Sequence, residues 1–212
     1  MTASPASPAD SSRRRMPRAD SSRRRMPRAA RTRQLLDTAW ALIGDEGTDA
    51  LTLGRLADAA GVSKPIVYDH FGTRNGLLVA LYQDYDARQT ALFAAAIDKA
   101  RPTLQDKARV IASSYVSCVV SQGREMSGVI AALNGSPELT AVKREYQHAF
   151  MDLCAGILAP FTGSAGVSGA SLWAMMGAAD ALSEAAADGE IVEDDACDEL
   201  LQVILNMVKR SK

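Results

Sequence analysis

Between Lys64 and His70 the chain sets a cation, a phenol and an imidazole beside small apolar surface: Lys64, Pro65, Ile66, Tyr68 and His70. These side chains donate hydrogen bonds and offer apolar contact, which is the chemistry of reading a polar surface. Bond-making needs a base or nucleophile in defined company, and that company is missing from the sequence. The two histidines, His70 and His148, stand far apart. There is no HExxH, paired Glu-x-x-His, nucleophile elbow or phosphate-binding loop. Three widely spaced cysteines, Cys118, Cys154 and Cys197, fit neither a disulfide framework nor a zinc site. The expectation is a binding protein with no catalytic residues, no metal and no cofactor.

The stretch that positions those residues runs from Thr52 to Leu78. Thr52 is placed to cap a helix, since its hydroxyl can accept an orphan first-turn N–H. Leu53, Leu56, Ala57 and Ala60 follow at helical spacing. Gly61 ends that helix where positive φ is wanted. Val62 can plug the angle, Ser63 can cap a second helix, and Pro65 falls in its first turn, where a missing N–H costs nothing. Val67 and Phe71 point inward, leaving Lys64, Pro65, Ile66, Tyr68 and His70 on outward or end-facing positions. This pattern suits a helix-turn-helix whose second helix enters the major groove. It suits an ordinary helical hairpin equally well.

The flanks distinguish the two. The run from Ala39 to Gly47 (AWALIGDEG), then LTLGRLADAAGVSKPIVYDHF to Phe71, then Arg74 and Leu77-Leu78, resembles the N-terminal domain of TetR-family repressors without a gap. The resemblance covers about residues 32 to 80. It implies that Lys64, Pro65, Tyr68 and His70 face DNA and that Thr52 and Arg74 meet phosphates. Lys64 is then suited to the acceptors of a guanine edge, and Pro65 and Ile66 to a thymine methyl. Tyr68, Thr52 and Arg74 hold register on the backbone. Tyr68 also admits a packing role, and His70 a helix-capping one. The chain departs from the family at Gly54, where some relatives carry a base-reading side chain. It departs again at Gly76, where a helix former is usual and glycine costs ~1 kcal/mol of helix preference.

Composition bounds the rest. A 212-residue chain, 47% apolar but only 5% aromatic, builds its core from Ala, Leu, Val and Ile, and no period-2 run is convincing. The fold expected is all-α, with about nine helices. It comprises an N-terminal three-helix helix-turn-helix domain at 31–78 and a C-terminal helical effector-binding and dimerisation domain at 79–212. No apolar run approaches the ~20 residues of a membrane span, so cytoplasmic placement and no membrane partner are expected.

Charge is uneven. Residues 1–34 hold ten arginines against Asp10 and Asp20, whereas 35–80 carry three cations against six acids. A DNA-binding unit of negative charge must borrow cations, and the tail supplies them. Residues 1–30 are rich in Ser, Pro and Arg and are expected to be disordered alone. They contain a direct repeat, ADSSRRRMPR at 9–18 and again at 19–28. As a basic arm the segment would track phosphates or enter a minor groove. A solvated tail and a start at Met16 or Met26 stay open. A targeting or twin-arginine signal lacks its apolar run.

Helices are expected at about 32–46, 52–71 in two pieces, 74–99, 103–122, 125–133, 137–159, 170–188 and 193–210. Their inner stripes include Trp40 in the first and Leu92 and Phe93 in the fourth, with Tyr146, Ala149, Leu153 and Ile157 in 137–159. The last two helices are apolar and small-faced, so another helix can approach closely at Ala174, Gly177, Ala178 and Ala181. The family resemblance implies a homodimer through these helices, with Leu201, Ile204 and Val208 joining the interface. Packing wholly within one subunit is the alternative.

The resemblance further implies a small-molecule inducer bound among residues 100–185. Tyr115, Cys118, Met126, Phe150, Trp173 and Met176 are the larger or softer side chains there, with Asp180 and His148 as polar candidates. The expected function is a ligand-responsive repressor that binds a palindromic operator in double-stranded DNA as a dimer and is released by its inducer. Two readings stand beside it: an effector-free or architectural DNA binder, and a helical small-molecule carrier.

Overall fold

The computed structural model describes residues 26–121, 123–133, 135 and 137–211. Among them there is no strand. The elements in order are α1 (Arg28–Glu46), a 3₁₀ turn (Thr48–Ala50), α2 (Leu53–Ala60), α3 (Lys64–Phe71), α4 (Arg74–Lys99), α5 (Leu104–Ser121), α6 (Gly123–Leu133), α7 (Pro137–Leu158), a second 3₁₀ turn (Ala159–Phe161), α8 (Gly169–Ala187) and α9 (Glu193–Arg210). The fold is the all-α one expected, and no described helix is long and apolar enough to cross a membrane.

Two hydrophobic cores share the chain. The first collects Leu35, Leu36, Ala39, Leu42 and Ile43 of α1, Leu53, Leu56 and Ala57 of α2, Val67 and Phe71 of α3, and Leu77, Leu78 and Leu81 of α4. Met126, Val129 and Leu133 of α6 and Leu139 of α7 close it. The second is built on α5, α8 and α9, with Phe93 from α4 and Met151, Cys154 and Leu158 from α7. Helices α4 and α7 therefore serve both cores, one at each end.

That sharing explains where periodicity misled. Leu92, expected inside, is 65% exposed, while its neighbour Phe93 is buried. In α7, Leu153 is exposed and Ala149 is outside too, because the buried face there runs through Met151, Cys154 and Leu158. A helix that passes from one core to another need not keep one stripe inside throughout.

α1 begins at Arg28, earlier than the expected start near 32 and inside the stretch read as disordered. Tertiary contacts account for the extra turn. Arg28 bonds to Asp69, and Thr32 to His70, so α3 holds the start of α1. Residues 1–25, most of the arm and all of the repeat but Met26, Pro27 and Arg28, lie outside the described residues.

Candidate nucleic-acid interface

The turn between α2 and α3 is made as its residues dictate. The Thr52 hydroxyl accepts the Arg55 N–H at 3.0 Å. Gly61 sits in the left-handed region, φ 64° and ψ 34°, and the next amide, of Val62, returns to the Ala57 carbonyl at 3.0 Å. A side chain at Gly61 would be strained whatever the space around it. Ser63 occupies the cap position of α3, but its side chain makes no capping bond, contrary to expectation; its carbonyl instead accepts from Ile66 N–H.

Val67 is fully buried and Phe71 nearly so, which pins one side of α3 to the core. The opposite side is open. Ser63, Lys64, Pro65 and Asp69 are exposed, Ile66 is 37% exposed and Tyr68 53% exposed. Tyr68 therefore does not serve as core packing. Leaving a phenol ring and an isoleucine in water on so short a helix is costly unless a surface covers them.

Gly54 acquires a use here. A Cβ built at Gly54 would lie 3.7 Å from Lys64 Cε and 3.9 Å from its Nζ. The lysine stem thus lies over the bare backbone of α2, at the place where a side chain is missing. Lys64 makes no ion pair among the described residues.

Arg74 is turned inward. Its Nε donates to the Leu51 carbonyl and its Nη2 to the Thr48 carbonyl, each at 2.8 Å. These are the carbonyls of the turn before α2, so Arg74 fastens the start of the helix-turn-helix. His70 is half-buried, with Nδ1 2.9 Å from Thr32 Oγ1. Burial, chiefly, and then the nearby Arg28 hold its imidazole below the usual value. Neither side chain reaches outward as openly as Lys64 or Tyr68.

Two contacts were invisible in the sequence. Asp69 is an acid on the exposed helix, and Arg28 answers it with Nη1 at 2.6 Å from its carboxylate and Nη2 at 2.9 Å from its carbonyl. Gly76 lies where a Cβ would overlap the Phe71 carbonyl oxygen, while its own N–H donates to Thr73 Oγ1 at 3.0 Å. The glycine that costs helix preference is what lets α3 run into α4 so tightly. A similar closeness recurs at Gly128 of α6, where a Cβ would overlap the Thr48 hydroxyl.

The residues expected around an effector converge only in part. Tyr115 donates to Asp180 at 2.5 Å and packs on Phe150, ring centroids 5.4 Å apart. Phe150 also meets Phe93. Cys118 lies 3.0 Å from the Tyr85 hydroxyl. Burial drives the Tyr115 and Tyr82 hydroxyls well above the usual phenol range, with Asp180 adding to the first and Asp86 to the second. Met176 is buried in the second core, on which Tyr115 and Phe150 also pack, whereas Met126 is buried in the first core and Trp173 faces outward with His148 edge-on at 5.3 Å. Tyr82 and Tyr146, in edge contact at 5.2 Å, were missed and stand with Tyr115 instead. Their helical register was legible; their meeting across α4, α5 and α7 was not.

On the last helices the expected interface divides. Ala174, Gly177 and Ala181 of α8 are exposed and Ala178 is half-buried. Leu201, Ile204 and Val208 of α9 are buried within the subunit against α5 and α8 and have no outward face to offer.

An all-α body with an N-terminal helix-turn-helix head is thus in place. Residues 35–81 match the family described as bacterial regulatory proteins, tetR family. Over 48 residues the chain is 42% identical to the HTH-type transcriptional regulator BetI of Rhizobium meliloti (strain 1021), a match covering 23% of this chain. The chain spans about a quarter of that relative's length. Solved structures extend the likeness of fold to the body. A TetR-family transcriptional regulator from Streptomyces coelicolor superposes with a TM-score of 0.63 at 22% identity, over 85% of this chain and 95% of that one. The transcriptional regulator FadR from Bacillus subtilis in complex with stearoyl-CoA gives 0.66 at 17% identity, over 81% of this chain and 96% of that one. The head thus resembles the tetR family over residues 35–81, and the chain has the all-α fold of these solved structures.

Proposed function

We propose that the chain is a ligand-responsive repressor that works in the cytoplasm and docks two copies of α3 on a pseudo-palindromic operator. The observation that carries this reading is the open side of α3. Lys64, Pro65, Ile66 and Tyr68 stand free on a helix whose other side is anchored by Val67 and Phe71. Lys64 reads a base edge, Ile66 and Pro65 meet apolar groove surface, and Tyr68 holds phosphate. Thr52 adds a hydroxyl at the start of α2. Arg74 and His70 act mainly by fixing the two ends of the unit, Arg74 through the Thr48 and Leu51 carbonyls and His70 through Thr32.

Two-fold pairing is proposed through the exposed small-residue face of α8, at Ala174, Gly177, Ala178 and Ala181. It sets the recognition helices ~34 Å apart, one turn of DNA. The inducer is proposed to lie near Tyr115, Phe150 and Asp180, in the part of the fold that a FadR structure shares. By favouring a head separation that the operator does not match, it would weaken DNA binding by its difference in affinity for the two states.

The test is fluorescence anisotropy on the chain's own promoter fragment and on random DNA. Lys64→Ala should weaken operator binding by ~1–3 kcal/mol and relax the preference at one base pair per half-site. Equal losses on both DNAs would remove the base-reading role.

A further inference from the structure

Helix α6 follows the expected head in the chain but packs into it. Its Met126, Val129 and Leu133 are buried in the core beneath the helix-turn-helix, in one cluster with Leu35, Leu51 and Leu56. The same helix lies against α1, α4 and the first 3₁₀ turn, Thr48–Ala50.

Where α6 meets that turn it carries Gly128. A Cβ there would overlap the Thr48 hydroxyl oxygen and stand 3.2 Å from the Thr48 Cβ. Gly128 does not adopt a positive φ, so backbone conformation does not call for a glycine. Within a helix the residue is unfavourable. What it supplies is the close approach of α6 to the turn.

Thr48 is poorly placed to yield. It is buried, and its carbonyl accepts from the Leu51 N–H at 3.2 Å and from Arg74 Nη2 at 2.8 Å. Four residues on, Thr52 caps α2. The turn is thus tied forward to α2 and sideways to α4. Close-packed interiors transmit a displacement of this kind instead of absorbing it. A methyl group added at position 128 would therefore shift the helix-turn-helix as a block against α6.

We propose that Gly128 is a positioning residue for DNA binding: by letting α6 lie directly on Thr48 it sets the angle between head and body, and with it the spacing of the two α3 helices. This role rests on the two-fold docking proposed above. It adds a residue outside the helix-turn-helix that fixes which half-site spacing is read.

The experiment is fluorescence anisotropy of the full-length protein on its promoter operator. Companion duplexes have one or two base pairs inserted or removed between the half-sites, or one half-site randomised. Wild type should prefer one spacing. Gly128→Ala should bind that operator at least tenfold more weakly, lose less than threefold on the single half-site, and move its best spacing. Thr48→Ala deletes the overlapping oxygen, so Gly128→Ala with Thr48→Ala should recover to within threefold of Thr48→Ala alone. Should Gly128→Ala fail to fold, Thr48→Val serves instead; it sets a methyl group where the hydroxyl meets Gly128 and should move the best spacing too. Equal losses on half-site and full operator, an unmoved best spacing in the folded variant, or a double variant no better than Gly128→Ala would overturn the proposal. A wild type indifferent to spacing would overturn the two-fold docking itself, and this role with it.

Discussion

The two cores are built of different material. The core beneath the helix-turn-helix is leucine-rich, with Met126 its single methionine, and polar clamps fix its edges. Arg74 holds two carbonyls, Thr52 and Thr73 cap α2 and α4, and Gly76 and Gly128 admit contacts closer than any Cβ would allow. The core of α5, α8 and α9 contains Met151, Met175, Met176 and Met207, with Cys154 among them. Leucine has few rotamers and specifies one packing, whereas methionine adapts to irregular space. The difference teaches that geometry is held tightly under the helix-turn-helix and more loosely in the body, as the proposed function requires.

The contrast can be broken by substitution. Leu56→Ala, at a fully buried position in the head, should cost ~2–5 kcal/mol in denaturant unfolding. Gly76→Ala should cost ~1–3 kcal/mol by forcing α3 away from α4, and DNA binding should fall with it. Stability unchanged by Gly76→Ala would mean the approach relaxes freely. Arg74→Ala leaves the Leu51 carbonyl without its donor and removes one of two donors from the Thr48 carbonyl, and should cost ~1–3 kcal/mol. Met176→Leu in the body should cost under ~1.5 kcal/mol, since volume is kept. A body penalty matching that of Leu56→Ala would erase the distinction between the cores.

The outer face of α8 sharpens the same contrast. Gly177→Arg adds charge at an exposed position, so it should leave each subunit folded while separating the proposed dimer in analytical ultracentrifugation. A dimer that survives would move the interface off α8.

The smallest effect is a pH one. His70 binds its proton less firmly in the fold than in the unfolded chain, because burial disfavours the charged ring and Arg28 repels it. The unfolded chain thus takes up the proton first, and stability falls as pH drops through the ordinary imidazole value of ~6.5. Comparing wild type with His70→Gln between pH 7.5 and 5.5 should isolate this slope, above the range where carboxylates titrate.

Much of the head was legible because each of its signals is local. A cap at Thr52, a left-handed Gly61 and the buried pair Val67 and Phe71 all follow from spacing within a few residues. What stayed hidden was non-local. Nothing in the spacing of Arg74 tells a phosphate from the Thr48 carbonyl, and nothing near Gly76 announces the Phe71 oxygen. The apolar stripe of α9 was readable, but not which neighbour would cover it; α5 and α8 do so within one chain. The aromatic group around Tyr115 likewise depends on three helices meeting, which periodicity along any one of them does not encode.

The Arg28–Asp69 bond has a consequence for the duplicated decapeptide. Each copy closes with Met-Pro-Arg, so excision of either unit by replication slippage would rejoin the same tripeptide to Ala29. The arginine that bonds to α3 would stand before Ala29 in either case, so a change in copy number would alter the length of the cationic segment and leave that arginine in place.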